Sequence, residues 1–225
     1  MPRVARVAPG DVIFHVLNRA NARSRIFERD QDYEALERVI AETARRIPVR
    51  ILAYCIMPNH WHMVLWPTRD GELGNFLQRL TTTHVRRWHL YRHSVGSGHL
   101  YQGTYKSFPV QDDEHFLAVC RYVEQNPLRA ALVQRAEDWR WSSLGQNSVR
   151  NSGEQKPVIS EWPVPKPQDW VSWVNHALTD KELETLRLSA QRGRPYGSES
   201  WQMRIARRLG LESTFHSRGR PRREL

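Results

Sequence analysis

Apolar positions along this chain change period several times, and each change marks an element boundary. Val12 to Asn18 is a mostly apolar run that reads as a strand. Over residues 30–47, Tyr33, Leu36, Ile40, Ala44 and Ile47 recur at helical spacing, and Asp30 is placed to cap that helix. Val49 to Ile56 returns to a continuous apolar run, expected as a buried strand. The Pro58-Asn59 turn then reverses the chain into a strand over residues 60–66. From 72 to 91, Leu73, Phe76, Leu77, Leu80, His84 and Trp88 share one helix face. Tyr101 to Val110 reads as a further strand. Residues 112–126 read as a third helix, begun by Asp112 and Asp113, with Phe116, Val119, Cys120 and Val123 as its core stripe. Pro127 disfavours helical dihedrals at Asn126, so this helix should stop there or one residue earlier.

The order β-α-β-β-α-β with a third helix appended predicts an α+β fold: a ferredoxin-like antiparallel sheet with helices packed on it. Residues 1–145 would hold this domain, and the Ser/Pro/Asn-rich stretch 146–169 reads as a linker. Residues 170–225 read as a small helical, Arg-rich extension that binds DNA.

Charge sharpens the picture. The chain has 225 residues and a formal net charge of +10, and a surplus of Lys and Arg points to a polyanionic partner. Residues 187–225 contain ten Arg against three Glu, so much of the surplus is C-terminal. Cys55 and Cys120 lie in apolar runs and read as buried free thiols in a reducing compartment. No apolar run approaches the roughly 18 residues of a membrane helix, and no secretory leader is expected. A cytoplasmic, nucleoid-associated protein with no membrane partner follows.

The candidate chemistry concentrates at His60-Trp61-His62. Residues two apart on a strand point to one face, so both imidazoles can approach one metal ion while Trp61 turns to the core behind. A lone His-x-His is ordinarily structural, and two histidines do not complete a site. In the third helix, Tyr122 and Asn126 stand four apart on a flank beside the core stripe, where they can reach a cleft. The helix C-terminus there also favours a nearby cation. Tyr33 and Tyr54 fall on core positions, and Tyr91, Tyr101, Tyr105 and Tyr196 have no amide four residues on.

Met57 to Leu65, followed by Arg121-Tyr122-Val123-Glu124-Gln125-Asn126-Pro127-Leu128-Arg129-Ala130, resembles the HUH single-tyrosine transposases, and most closely their REP-associated branch. His15 to Phe27, Leu100 to Ser107 and Trp139 to Ser143 fit the same branch, so the resemblance spans about residues 10–145. It implies the HUH endonuclease fold, with His60, His62 and Asn126 as ligands of a divalent metal ion (Mg²⁺ or Mn²⁺) and Tyr122 as the catalytic nucleophile. The implied activity is cleavage and rejoining of single-stranded DNA near REP-like hairpins, through a 5′-phosphotyrosine. On ligand type, two imidazoles and an amide oxygen suit Mn²⁺, Co²⁺ or Zn²⁺ better than Mg²⁺. Related enzymes share active sites between subunits, so the resemblance allows a homodimer.

A non-catalytic, domesticated hairpin-binding regulator is the alternative, although such a binder need not keep Tyr, two His and Asn together. A replication initiator or relaxase is a weaker one. Arg19, Arg23 and Arg25 follow the first strand and are candidates to grip the DNA backbone, as are Arg86, Arg87 and Lys106. Arg218, Arg220 and Arg222 belong to an Arg-Gly-Arg-Pro tail that resembles an AT-hook, and Arg192-Gly193-Arg194-Pro195 repeats its core. Glu124 matches the family pattern, and a solvated helix face accounts for it equally well.

Overall fold

The computed structural model describes residues 8–146 and 156–216. A four-stranded sheet forms its centre, ordered β2-β3-β1-β4 and antiparallel throughout. The strands are β1 (Ile13–Arg19), β2 (Val49–Met57), β3 (His60–Pro67) and β4 (Lys106–Val110). β2 and β3 form a tight hairpin, and β1 inserts between β3 and β4 by long-range pairing. A bulge between Ile51 and Ala53 interrupts the β2–β3 ladder.

Each strand divides its side chains between two layers, because successive residues face opposite ways. Phe14, Val16, Tyr54, Ile56, Trp61, Met63 and Leu65 pack against α1 (Asp30–Arg46) and α2 (Glu72–Tyr91). Val64, Phe108, Cys55 and Met57 face the other way, toward α3 (Glu114–Glu124). Trp61 is fully buried and donates its indole N–H to the Tyr101 hydroxyl (3.0 Å). It is a core residue, as its place between the two histidines suggested; truncating such an aromatic typically costs about 3–5 kcal/mol. Both cysteines are buried and free.

Several element ends differ from expectation. Asp30 is the first residue of α1 rather than its cap. The carboxylate that closes that end is Asp32, which accepts from the backbone N–H groups of Glu28 (2.9 Å) and Arg29 (3.0 Å). The strand expected from Tyr101 starts only at Lys106; Tyr101 makes an isolated bridge with Ala20. Asp113 caps α3 by accepting from the His115 N–H (2.9 Å), so the helix starts two residues later than expected. It ends at Glu124, and a separate turn, α4 (Asn126–Arg129), begins at Asn126 with Pro127 near its start, where the missing N–H costs nothing.

Most of the remaining segments wrap the α3 side, while Ile205 and Leu209 of the last helix join the cluster beneath α1 and α2. Residues 156–169, read as linker, do not hang free: Ser160 N–H donates to Ile51 O (2.8 Å) and the Trp162 indole to Leu52 O (2.8 Å). A short α5 (Ser143–Gln146) precedes them, and α6 (Trp170–Asn175), α7 (Asp180–Arg192) and α8 (Glu199–Leu209) follow. Glu124 fastens this wrapping to α3. It accepts from the Ser143 hydroxyl (2.5 Å) and the Trp170 indole (2.7 Å) and is 1% exposed, so it occupies no solvated face. Burial pushes its carboxyl above the ordinary range, against the pull of those two donors. Beside it, Arg121 donates to His176 O (2.8 Å) and Gln125 to Val174 O (2.7 Å). Among the described residues, no helix is long and apolar enough to cross a membrane.

Candidate active site

A cleft of about 1040 Å³ opens at the end of the sheet where β1 finishes and β3 begins. There Arg19 faces His60 across the ladder, and Leu17 faces both His62 and Lys106. The strand period that buries Trp61 and Met63 beneath α1 and α2 turns His60 and His62 to the opposite layer, into this cleft. Their ring centroids lie 4.9 Å apart. The α3 flank supplies Tyr122, whose ring centroid is 5.9 Å from that of His62, and Asn126 lines the same cleft one turn on. Tyrosine, asparagine and both histidines therefore meet within one chain.

Hydrogen bonds orient the three prospective ligands. Asn59 donates its amide to Arg23 O (3.2 Å), which turns its oxygen toward His60 Nδ1 (2.6 Å). An amide oxygen can only accept, so His60 carries its proton on Nδ1 and keeps the Nε2 lone pair free. His62 Nδ1 lies 2.9 Å from His15 Nε2, and when His62 is the donor its own Nε2 is likewise free. Burial pushes His60 down to about 4 and His62 well below its ordinary value, with the neighbouring Arg19 and Arg129 acting in the same direction on both. Both rings are neutral at pH 7, the state in which imidazole binds metal. Asn126 donates to the carbonyls of Tyr122 and Val123 (both 3.1 Å), which turns its side-chain oxygen to the cleft side, where it accepts from Arg129 Nη2 (2.6 Å) and keeps a second lone pair for a cation. That donor set fits a divalent cation: two imidazole nitrogens and an amide oxygen, all held by partners on their other atoms.

Two residues that the sequence reading passed over belong to this cluster. His15, on β1, stacks on His62 with centroids 5.1 Å apart and lies edge-on to Tyr122 at 6.1 Å. Burial holds its ring down to about 3. Its place on the same strand face as Leu17 was readable from the period, but its pairing with His62 needed the β1–β3 register. Arg129 follows Asn126 by three residues, and its guanidinium lies over the Tyr122 ring, 4.3 Å from the centroid. Arg187 and Gln191 of α7 form a further wall, so the C-terminal segment borders the cleft.

The expected DNA contacts separate in space. Arg19 and Lys106 line the cleft. Arg23 and Arg25 are exposed in the loop beyond β1. Arg86 and Arg87 stand on α2, behind the other face of the sheet, and Arg87 is paired with Glu42 (2.8 Å). Arg218, Arg220 and Arg222 lie outside the described residues. The Arg192–Pro195 repeat is folded as a helix end: Gly193 closes α7 at φ +75°, and Arg194 lies over Phe215. Among the described residues, the cleft lining contains Arg19, Lys106, Arg129 and Arg187 and no Asp or Glu.

A sheet flanked by helices, with paired strand histidines facing a helix-borne tyrosine, is the arrangement that the resemblance noted in the sequence implies. The family model for IS200-like transposases matches residues 10–126, more than half of the chain, and the protein belongs to that family. The REP-associated tyrosine transposase of Escherichia coli (strain K12) is 22% identical over 141 residues, covering 63% of this chain and 81% of that protein. A solved REP-associated tyrosine transposase bound to a REP hairpin superposes with a TM-score of 0.54 at 18% identity, over 71% of this chain and all of that one. The α+β fold and the resemblance to the REP-associated branch are borne out.

Proposed function

We propose that this protein cleaves and rejoins single-stranded DNA at REP-like hairpins, with Tyr122 as nucleophile. The carrying observation is the convergence of Tyr122, His60, His62 and Asn126 in one basic cleft that no carboxylate of the described residues lines. Such a lining suits a phosphodiester, which brings its own negative charge. In the reading, the Tyr122 oxygen attacks phosphorus, the P–O3′ bond breaks, and the 5′ side stays joined to the tyrosine. The phenolic proton leaves to solvent and the departing 3′ oxygen takes one up. The covalent bond conserves the energy of the broken linkage, so a second 3′-OH can reverse the step on another strand. Arg19 and Lys106 hold the backbone in line with the nucleophile. His60, His62 and Asn126 would hold Mg²⁺ or Mn²⁺, which supplies charge stabilisation at the scissile phosphate. The REP hairpin bound by the solved relative supports the choice of substrate. The protein would then act on chromosomal DNA in the cytoplasm, alone or as a homodimer.

The test is incubation with single-stranded hairpin DNA and Mn²⁺, followed by denaturing electrophoresis for a covalent protein–DNA adduct. Wild type should form the adduct and Tyr122→Phe should not. An adduct that persists in Tyr122→Phe refutes the nucleophile. Salt-sensitive hairpin binding with no adduct in wild type, across divalent ions, would mean a non-catalytic binder instead.

A further inference from the structure

Arg129 is in an unusual position for an arginine. It ends α4, and its side chain folds back over Tyr122, with the guanidinium carbon 4.3 Å from the ring centroid. Nη2 donates to the Asn126 side-chain oxygen (2.6 Å). Nη1 is shielded from solvent and has no hydrogen-bond partner. No ion pair among the described residues includes Arg129, and its charged neighbour Arg187 has the same sign. A half-buried cation that holds the Tyr122 phenol and the Asn126 oxygen, yet has one unmet donor and no counter-ion, is costly, and an incoming anion relieves that cost. Arginine's planar fork also matches the paired oxygens of a phosphate.

We propose that Arg129 is a further catalytic residue, gripping the non-bridging oxygens of the scissile phosphate beside Tyr122. The proposal deepens the reading of Tyr122 as nucleophile and rests on it. Arg19 and Lys106 are well placed to hold the strand on either side, but Arg129 contacts the attacking residue itself. Nη1 has no partner to give up and, being closed to solvent here, would bond the phosphate on a small turn of the guanidinium, while Nη2 keeps the Asn126 oxygen in place. Arg129 stays protonated throughout. Its hydrogen bonds strengthen as charge builds on the phosphate oxygens during attack, so it lowers the barrier more than it tightens binding.

The experiment compares wild type, Arg129→Lys and Arg129→Gln. Single-turnover adduct formation should fall roughly 10²–10³-fold in both variants, as on loss of one transition-state donor. Hairpin affinity should change by less than about five-fold, since many other phosphates are still contacted. A second measurement reads the contact without relying on cleavage. A neutral methylphosphonate is placed at successive linkages, and binding is measured with each. Wild type should lose affinity at the scissile linkage, and Arg129→Gln should show no such loss. Arg129→Lys keeps the charge and is the variant to read if Arg129→Gln melts early. Adduct rates within about two-fold of wild type in both variants, or an unchanged methylphosphonate penalty in Arg129→Gln, would overturn the proposal. Tyr122→Phe run alongside separates the two readings: an adduct there removes the nucleophile, while the methylphosphonate comparison still reports on Arg129.

Discussion

Replacing His15 with phenylalanine tests how the metal ligands are prepared. His15 Nε2 lies 2.9 Å from His62 Nδ1, and both residues are buried. If His62 holds a cation through Nε2, its proton must sit on Nδ1, where His15 Nε2 would accept it. Phenylalanine keeps the ring and its packing on His62 and Phe108, whose centroids lie 5.1 and 4.8 Å from that of His15. It offers no acceptor, so metal binding must strand a buried N–H, at about 1–3 kcal/mol. Without metal, His62 can move its proton to Nε2, toward the cleft, and avoid most of that cost. His15 Nδ1 itself has no partner, so its removal relieves a second unmet group. The metal-free variant should therefore melt at or above the wild-type temperature, while Mn²⁺ affinity falls about 10–100-fold. Calorimetric titration with Mn²⁺ at neutral pH, paired with thermal melting, reads both. A folded His15→Phe that binds Mn²⁺ as wild type does would refute the tautomer argument. If His60→Ala also binds unchanged, the ligand assignment itself fails.

Other outcomes follow from the same contacts. Trp170→Phe removes the indole donor, 2.7 Å from a Glu124 oxygen, and leaves a buried carboxyl one partner short. The urea midpoint should report a loss of about 1–3 kcal/mol, and an unchanged midpoint would mean that this contact does not anchor the C-terminal segment. His84 Nδ1 lies 2.8 Å from the Tyr101 hydroxyl, and burial holds His84 down to about 4, against about 6.5 when unfolded. The unfolded chain therefore takes up the proton first. Its contribution is fully present above pH 6.5 and is lost as pH falls toward 4, up to about 3 kcal/mol in all. Urea titrations across that range, with chelator present, should give a shallower pH dependence for His84→Phe than for wild type; coincident slopes would exclude the mechanism. A Cβ at Gly145 would lie 2.0 Å from the Trp139 carbonyl oxygen, so Gly145→Ala should cost about 1–3 kcal/mol and lower the melting temperature. Wild-type melting would show that the backbone there yields freely.

The local pattern made much of this protein legible. Period-two alternation in β3 put His60 and His62 on one face and Trp61 on the other, and helical spacing put Tyr122 and Asn126 on one flank. Glu124 was not legible in this way, because its helix position is compatible with solvent until α5 and α6 close over it. The stretch 156–169 has the composition of a tether, yet it runs along β2 through Ser160 and Trp162, backbone and indole contacts that composition does not encode.

By itself, the sequence determined the strand and helix periods, the basic charge and the residue types able to carry the chemistry, because these depend on neighbours a few positions away. Tertiary structure decided which residues complete the site. β1 pairs between β3 and β4, and that register alone brings His15 to His62. The turn from α3 into α4 folds Arg129 back over Tyr122. The packing of α7 walls the cleft with Arg187 and Gln191. The β1 and α7 contacts join distant segments whose meeting is set by the burial of both sheet faces, a property of the whole chain rather than of any local run.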